Sequence, residues 1–560
     1  MKILSILLAL CLLTGCGAEP VATVATVPTQ APETVPAETV AAPEFTSRFD
    51  TVTEITLSDE GITVNGGGET DAVFTSHDII YYEDRETYDS GNPYGEGEAW
   101  QRHSPEEASA HTVVNITAPG AYQVSGKLSA GQLRIDLGED AYFDADAVVE
   151  LILSDADITC TVAPAILFLN TYECDGNWSV DTAKPDVETT DAGASLILEG
   201  QNTISGSHVA RIYKDQAGEK KLWKQDGAIY SYMSMNVFGP GSLNLMADNE
   251  GLDTELHLTI QGGDIYIRSG NDGINTNEDG VSVTAINGGS LRILAGLDGE
   301  GDGIDSNGYL VINDGTVIVS AHPAADSGLD SDLGSFIHGG TVAAFGSTMD
   351  WAESDSDQVT INLQFAGQQT AGSTIEVRSE NGTVFAFDPA SDPLLKEADR
   401  QYRGAILSCP YFRQGQTYSV FVNDTQQGYT GTDVARGPGG FGGGMPPQWN
   451  GSEGPGGGME RPEMPEGMEF PGGKHPEGME FPEGMEFSGG ERPEGRDFPE
   501  GMEFPEGMES PEGMEFPEHM EMPEGMELPG PGFQATEGVL STEFTMTDKV
   551  NCFSGVKNAA

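Results

Sequence analysis

Positive charge is scarce in this sequence. Lysine and arginine total 26 against 90 aspartates and glutamates, leaving a net charge of −64. That imbalance argues against nucleic acid and anionic lipid headgroups as direct partners, because Coulomb repulsion opposes both. It favours cations, or ligands recognised through cations. Good helix-forming windows are also few among 74 glycines and many Asp and Asn residues, so an ordinary α/β enzyme is not expected. Cysteine is sparse. Once Cys11 leaves with the leader and Cys16 is set aside, only Cys160, Cys174, Cys409 and Cys552 remain. Their spacing fits no metal pattern, and four buried free thiols are expected, with a disulfide as the alternative that export permits.

Long apolar runs are missing as well, apart from Ile3 to Leu13, which is too short to cross a bilayer stably. It follows a basic Met1-Lys2 and ends in Leu13-Thr14-Gly15-Cys16, so residues 1–16 read as a cleaved signal. That ending resembles the bacterial lipobox, which implies a lipidated Cys16. The expected product is exported and anchored by lipid to the cell membrane, facing the cell surface. Residues 17–46, rich in Pro, Thr and Ala, read as a disordered tether. Residues 431–535 are a second low-complexity run, in which Pro-Glu-Gly-Met-Glu-Phe and its variants recur. Proline, glycine and mutually repelling glutamates forbid regular structure there, so a disordered acidic tail is expected. In residues 536–560 a strand pattern returns at Ser541 to Met546 and is expected to pair with the preceding domain.

Between the two low-complexity stretches a unit repeats. Its instances are Gln225-Asp226-Gly227-Ala228-Ile229, Asn249-Glu250-Gly251-Leu252-Asp253, Asn271-Asp272-Gly273-Ile274-Asn275, Gly301-Asp302-Gly303-Ile304-Asp305 and Asp326-Ser327-Gly328-Leu329-Asp330. The shared glycines lie 22 to 30 residues apart. Each unit adds alternating strands such as Leu256-Leu258-Ile260 and Leu291-Ile293, then a glycine turn. One such unit cannot bury its aliphatic row, whereas stacked coils can. Leucine-rich and short RTX repeats do not fit the framework or the spacing. The expectation is an all-β fold, a right-handed parallel β-helix over 47–355 with a small antiparallel β cap over 356–430 that closes its open edge.

Coils stacked in register place their acidic turns about 4.8 Å apart. Carboxylates at that separation repel by about 3 kcal/mol per pair at an effective dielectric near 20. Calcium, with bonds of about 2.4 Å to oxygen, can bridge such a pair, and magnesium demands a tighter octahedron. The candidate ligands are Asn249, Glu250, Asp253, Asn271, Asp272, Asn275, Asp298, Asp302, Asp305, Asp326, Asp330 and Asp332. Turn hydrogen bonds without an ion are the alternative. Two stretches mimic an EF-hand loop, but Tyr309 and Ile286 stand where that loop requires glutamate.

At these turns the sequence resembles the calcium-binding β-helix family of bacterial carbohydrate-binding domains, itself similar to family-9 pectate lyases. The resemblance covers roughly residues 50–430 and rests on the coils at 225–229, 271–275 and 301–308, with Gly415-Gln416-Thr417-Tyr418 beyond them. It implies calcium in the coil turns and a polysaccharide partner, either acidic pectic chains or cellulose. A lyase needs a base, usually Lys or Arg, beside the metal, yet no lysine occurs between Lys224 and Lys396. Arg268 and Arg292 are the remaining candidates, and with Tyr266 and Tyr309 they form the candidate sugar contacts. The expected function is therefore non-catalytic, calcium-dependent binding of cell-wall polysaccharide by a monomer. A pectate-type lyase and a structural or adhesive surface lipoprotein are the alternatives.

Overall fold

The computed structural model describes residues 45–83, 101–432 and 539–559, apart from 178, 211, 214–219, 222–223, 325 and 348–349. The leader with Cys16, the tether up to residue 44 and the acidic repeat at 433–538 lie outside the described residues. The fold is all-β. Among the described residues the one α-helix is the short turn Pro105–Ser109, closed by a capping box between Ser104 and Glu107.

Each coil lays three short strands into three parallel ladders. One coil runs Glu250–Thr254, Leu258–Ile260 and Asp264–Ser269, and the next runs Ile274–Thr276, Val283–Ile286 and Ser290–Leu294. A third runs Ile304–Ser306, Tyr309–Ile312 and Thr316–Ser320. Every strand pairs in parallel with its counterpart one coil on. In the first ladder Leu252 lies beside Ile274 and Ile274 beside Ile304; in the third, Ile265 lies beside Leu291 and Leu291 beside Val317. These inward residues are fully buried. Each contributes about 1.5–3 kcal/mol on burial, and a one-residue slip would turn the whole row out to water. Upstream, Thr112–Ile116, Gly131–Asp136 and Ile166–Asn170 extend the first ladder ahead of Gly227–Ser231.

The glycine inside each repeat follows from this stacking. A Cβ on Gly273 would lie 2.2 Å from Ile293 Cγ2 and 2.5 Å from the Gly303 carbonyl. One on Gly303 would lie 1.9 Å from Val319 Cγ1 and 2.4 Å from the Gly328 carbonyl. Only hydrogen fits, so the flanking acidic residues are carried by backbone in direct contact with the coil above.

Further strands close the far end. Tyr402–Ser408 pairs antiparallel with both Thr341–Gly346, the last strand of the third ladder, and Thr360–Gln369. It thereby covers an edge that would otherwise template aggregation. The C-terminal strand Val550–Asn558, however, pairs parallel with Thr360–Gln369, so the cap is mixed rather than purely antiparallel. Parallel neighbours need a long crossover, and the acidic repeat lies in the connection between them. Phe544–Thr545 forms a short strand against Thr417–Val422. The other end is tied down by the first described residues. Phe45 packs 5.1 Å from Phe238, and Ser47 Oγ and the Arg48 N–H donate to the Glu150 carboxylate.

Cys160 and Cys409 are buried thiols, Cys174 and Cys552 are half-buried, and Asn362 Nδ2 donates to Cys552 Sγ at 3.3 Å. Burial pushes the Cys160 thiol up to about 12, so it is inert packing.

Replacing Gly303 by alanine is expected to destabilise the fold by about 1–3 kcal/mol through overpacking against Val319. Urea denaturation checks this. An unchanged midpoint would show that the coils can spread to admit a methyl group.

Candidate cation site

Parallel register gathers the acidic residues on the first ladder into two rows. The row following the glycines is set by strand pairing, with Tyr230 beside Asp253, Asp253 beside Asn275 and Asn275 beside Asp305. Asp330 follows, its N–H donated to the Ile304 carbonyl. The row preceding the glycines runs Glu250, Asp272 and Asp302, with Asp226 one position out of register at its upstream end because Gly227 lies beside Glu250. It is held by bonds from Glu250 N–H to the Asp226 carbonyl, Gly251 N–H to Asp272 and Gly273 N–H to Asp302.

The two ends of the rows are treated differently. Downstream, carboxylates accept backbone N–H groups of the next coil: Asp272 Oδ1 takes Asp302 N–H at 2.6 Å, and Asp302 Oδ1 takes Ser327 N–H. Turn hydrogen bonds therefore do operate there. Upstream they do not suffice. Glu250 is 3 % exposed and Asp253 is 0 % exposed, yet Glu250 Oε2, Asp253 Oδ2, Asn275 Oδ1 and Gln225 Oε1 are buried without a hydrogen-bond partner. Leaving such groups unpaired costs about 1–3 kcal/mol each, more when they are charged. Oxygens of Asp226, Glu250 and Asp253 all lie within 4.8 Å of one another. Opposite ligands of a single calcium ion are also about 4.8 Å apart, twice a bond of about 2.4 Å. The donor set is all oxygen and hard, so these residues fit calcium.

Burial and mutual repulsion show in the protonation equilibria. Burial, with the neighbouring acids second, holds Glu250 and Asp253 above the usual carboxylate range. The same causes raise Asp272 and Asp305, and push Asp302 up to about 7 and Asp332 up to about 6. A cation comes from an unexpected place. Lys224 Nζ contacts the Asp226 carboxylate, and that charge, reinforced by Glu250 and Asp253, raises its pKa, so the ammonium stays protonated.

The other candidate ligands are dispersed around this core. Asn249 donates through Nδ2 to the Asp226 carbonyl, and Asn271 is half-buried beside the preceding row. Asp298 and Asp332 are exposed, and Asp326 pairs with His322 at 3.3 Å. Three of the four candidate sugar contacts sit elsewhere, on the third ladder beneath a strap that includes Pro389–Ser391 and Leu395–Glu397. Arg292 Nε bonds the buried Asp392 at 3.1 Å and its guanidinium lies 5.7 Å over Tyr266, while Arg268 Nη2 reaches the Leu394 carbonyl. Their role there is to hold the strap. Tyr309, on the second ladder, is half-buried and lies 6.2 Å from Phe336, which stacks on His338.

Sequence reasoning missed Asp226 as a ligand, although its coil carries the same acid-Gly-aliphatic signature as Glu250. It also missed a cleft of about 580 Å³ between the last coil and the cap, lined by Pro323, Ala324, Ser347, Gln368, Gln401 and Arg403. Ser347 ties this cleft to the acidic corner by donating its N–H to the Asp326 carbonyl. Arg403 is exposed there, with Nε on the Phe365 carbonyl.

Stacked all-β coils with a buried acidic cluster are the features to set beside known proteins. Residues 110–388, just under half of the chain, match the family model described as carbohydrate-binding domain-containing protein. A carbohydrate-binding domain-containing protein of Acetivibrio thermocellus is 29% identical over 157 residues, 28% of this chain and 45% of that relative. The chain thus matches less than half the length of that relative. The solved polysaccharide lyase-like protein from C. thermocellum, a gadolinium derivative, aligns at 19% identity and a TM-score of 0.31. That alignment covers 52% of this chain and 93% of the other.

The raised carboxylates set the sign of the pH response. Their folded pKa values exceed the ordinary 3.8 of aspartate, reaching about 7 at Asp302. The folded state therefore binds more protons than the unfolded state across that interval, and stability falls as pH rises through it. In EDTA the melting temperature is expected to drop between about pH 4 and pH 7, and calcium is expected to flatten the drop by holding the groups ionised. Calorimetry across that range decides, and a flat EDTA profile would contradict the assignment.

Proposed function

We propose that this chain binds polysaccharide without cleaving it, through calcium held in the acidic corner of a right-handed parallel β-helix. The handedness follows from the general preference of parallel crossover connections, right-handed in about 98% of cases. The observation that carries the proposal is the set of buried, unpartnered oxygens on Glu250 and Asp253, beside Asp226, within a span matching a carbohydrate-binding family. A chain of net charge −64 repels an acidic glycan, so a bound cation shared between protein and uronate is the consistent route. Arg403, Gln401 and Gln368 in the adjoining cleft supply donors of the kind a sugar acid requires. Tyr309 and Phe336 offer a partly exposed apolar strip around the corner.

Cleavage is disfavoured by the placement of the bases. Arg268 and Arg292 lie on a different ladder from the acidic rows and engage the strap. Lys224 is tied to Asp226 as an ammonium. Lipidation of Cys16 would hold the domain at the outer membrane face, on the tether described above.

Binding to polygalacturonate beads, followed with and without EDTA, tests this reading. Chelation is expected to abolish retention, and Glu250→Gln with Asp253→Asn to do the same in calcium. Arg403→Ala is expected to weaken retention about tenfold, the size of one lost charge-assisted hydrogen bond. Retention indifferent to EDTA would sink the cation bridge. An absorbance rise from unsaturated product would replace binding with lyase chemistry.

A further inference from the structure

The lysine nearest the acidic rows is placed in a way that neither binding nor cleavage of glycan requires. Gln225, next in sequence, is pinned by two backbone bonds to Val209, from Val209 N–H to the Gln225 carbonyl at 2.8 Å and from Gln225 N–H to the Val209 carbonyl at 2.9 Å. This fixes the root of Lys224 at the upstream end of the rows. Its ammonium touches Asp226, the carboxylate that shares a cluster of 4.8 Å with Glu250 and Asp253. The Lys224 side chain is 49% exposed, whereas that of Asp226 is 6% exposed. One end of the ion pair is fixed in the protein and the other has an open path to water.

We propose that Lys224 is a built-in counter-cation that occupies the acidic cluster when no metal is present and must swing out for a divalent ion to enter. The idea deepens the calcium reading above and rests on it. The chemistry is competition of charges for one set of oxygens. Three carboxylates brought together without a cation repel one another, and an ammonium on a flexible four-carbon stem is a compact positive charge that can be withdrawn. A calcium ion needs the Asp226 oxygen that Lys224 holds, so the two cations exclude each other from it. Lys224 thereby stabilises the empty site and lowers its affinity, so that the site fills only when calcium is abundant.

The test uses the full chain, with calcium titrated by isothermal calorimetry and melting followed in EDTA and in saturating calcium. Lys224→Met is expected to bind calcium about tenfold more tightly, since a nearby unit charge no longer opposes the ion. It should also melt below the wild type in EDTA, with the gap closing in saturating calcium. Lys224→Arg keeps the charge and is expected to follow the wild type in the metal-free melt, which guards against a simple folding defect. If the wild type binds calcium and Lys224→Met binds it no more tightly, the counter-cation idea falls and the binding reading stands. If the wild type takes up no calcium, the binding reading falls and takes this idea with it.

Discussion

Repulsion between stacked carboxylates is the constraint around which the rest of this molecule is arranged. The coils are driven together by aliphatic rows such as Leu252, Ile274 and Ile304, each fully buried. Because those rows lock the register, they also lock whatever flanks them, and here the flanking positions are acids. A neighbouring pair costs about 3 kcal/mol at an effective dielectric near 20, comparable with the gain from burying one leucine. The hydrophobic interior can therefore impose the charge alignment, but it cannot remove the penalty. Something must neutralise the rows locally.

The structure uses different devices along their length. Asp272 and Asp302 each accept an N–H from the following coil, which converts part of the repulsion into coil-to-coil hydrogen bonds. Asp302, Asp305 and Asp330 are also held toward their neutral forms by burial and by one another. At the upstream end the acids meet Tyr230 and Lys224 instead, and oxygens are still left over. Among the described residues of these rows, the unpartnered atoms thus lie at Gln225, Glu250, Asp253 and Asn275 rather than spreading evenly. That unevenness makes the cluster of Asp226, Glu250 and Asp253 the candidate ion site and leaves the downstream acids more self-sufficient.

Much of this was legible in the sequence, and the rest was hidden for identifiable reasons. The repeat, its glycine and its alternating strands announce stacked parallel strands, because periodicity is a local property. Glu250 and Asp253 were accessible the same way. Asp226 was harder, since strand register sets Gly227 beside Glu250 and leaves Asp226 one position off, so that it meets Glu250 and Asp253 only diagonally. Lys224 was read as the last lysine before a long gap, although two residues apart on extended backbone it shares a face with Asp226. Arg268, Arg292 and Tyr266 alternate with the buried residues of their strands. Their covering comes from a strap a hundred residues or more away in the chain. The parallel pairing of Val550–Asn558 with Thr360–Gln369 was similarly beyond reach, because the direction of a returning strand is set by the route of its connection.

A row of sites one coil apart also explains why weak individual contacts can suffice. A polysaccharide is a linear array of similar groups, and stacked coils present a linear array of similar turns. On the proposed reading, one sugar held by an ion at the upstream cluster would bring its neighbours along the corner toward the Arg403 cleft at high effective concentration. Each further contact then adds affinity without a new encounter. This arrangement needs only the strongest ion site to be fully built. The concentration of unpartnered oxygens at Glu250 and Asp253, with a polar cleft at the opposite end of the same corner, has that character: an anchor at one end, weaker holds between, and a cationic stop at the other.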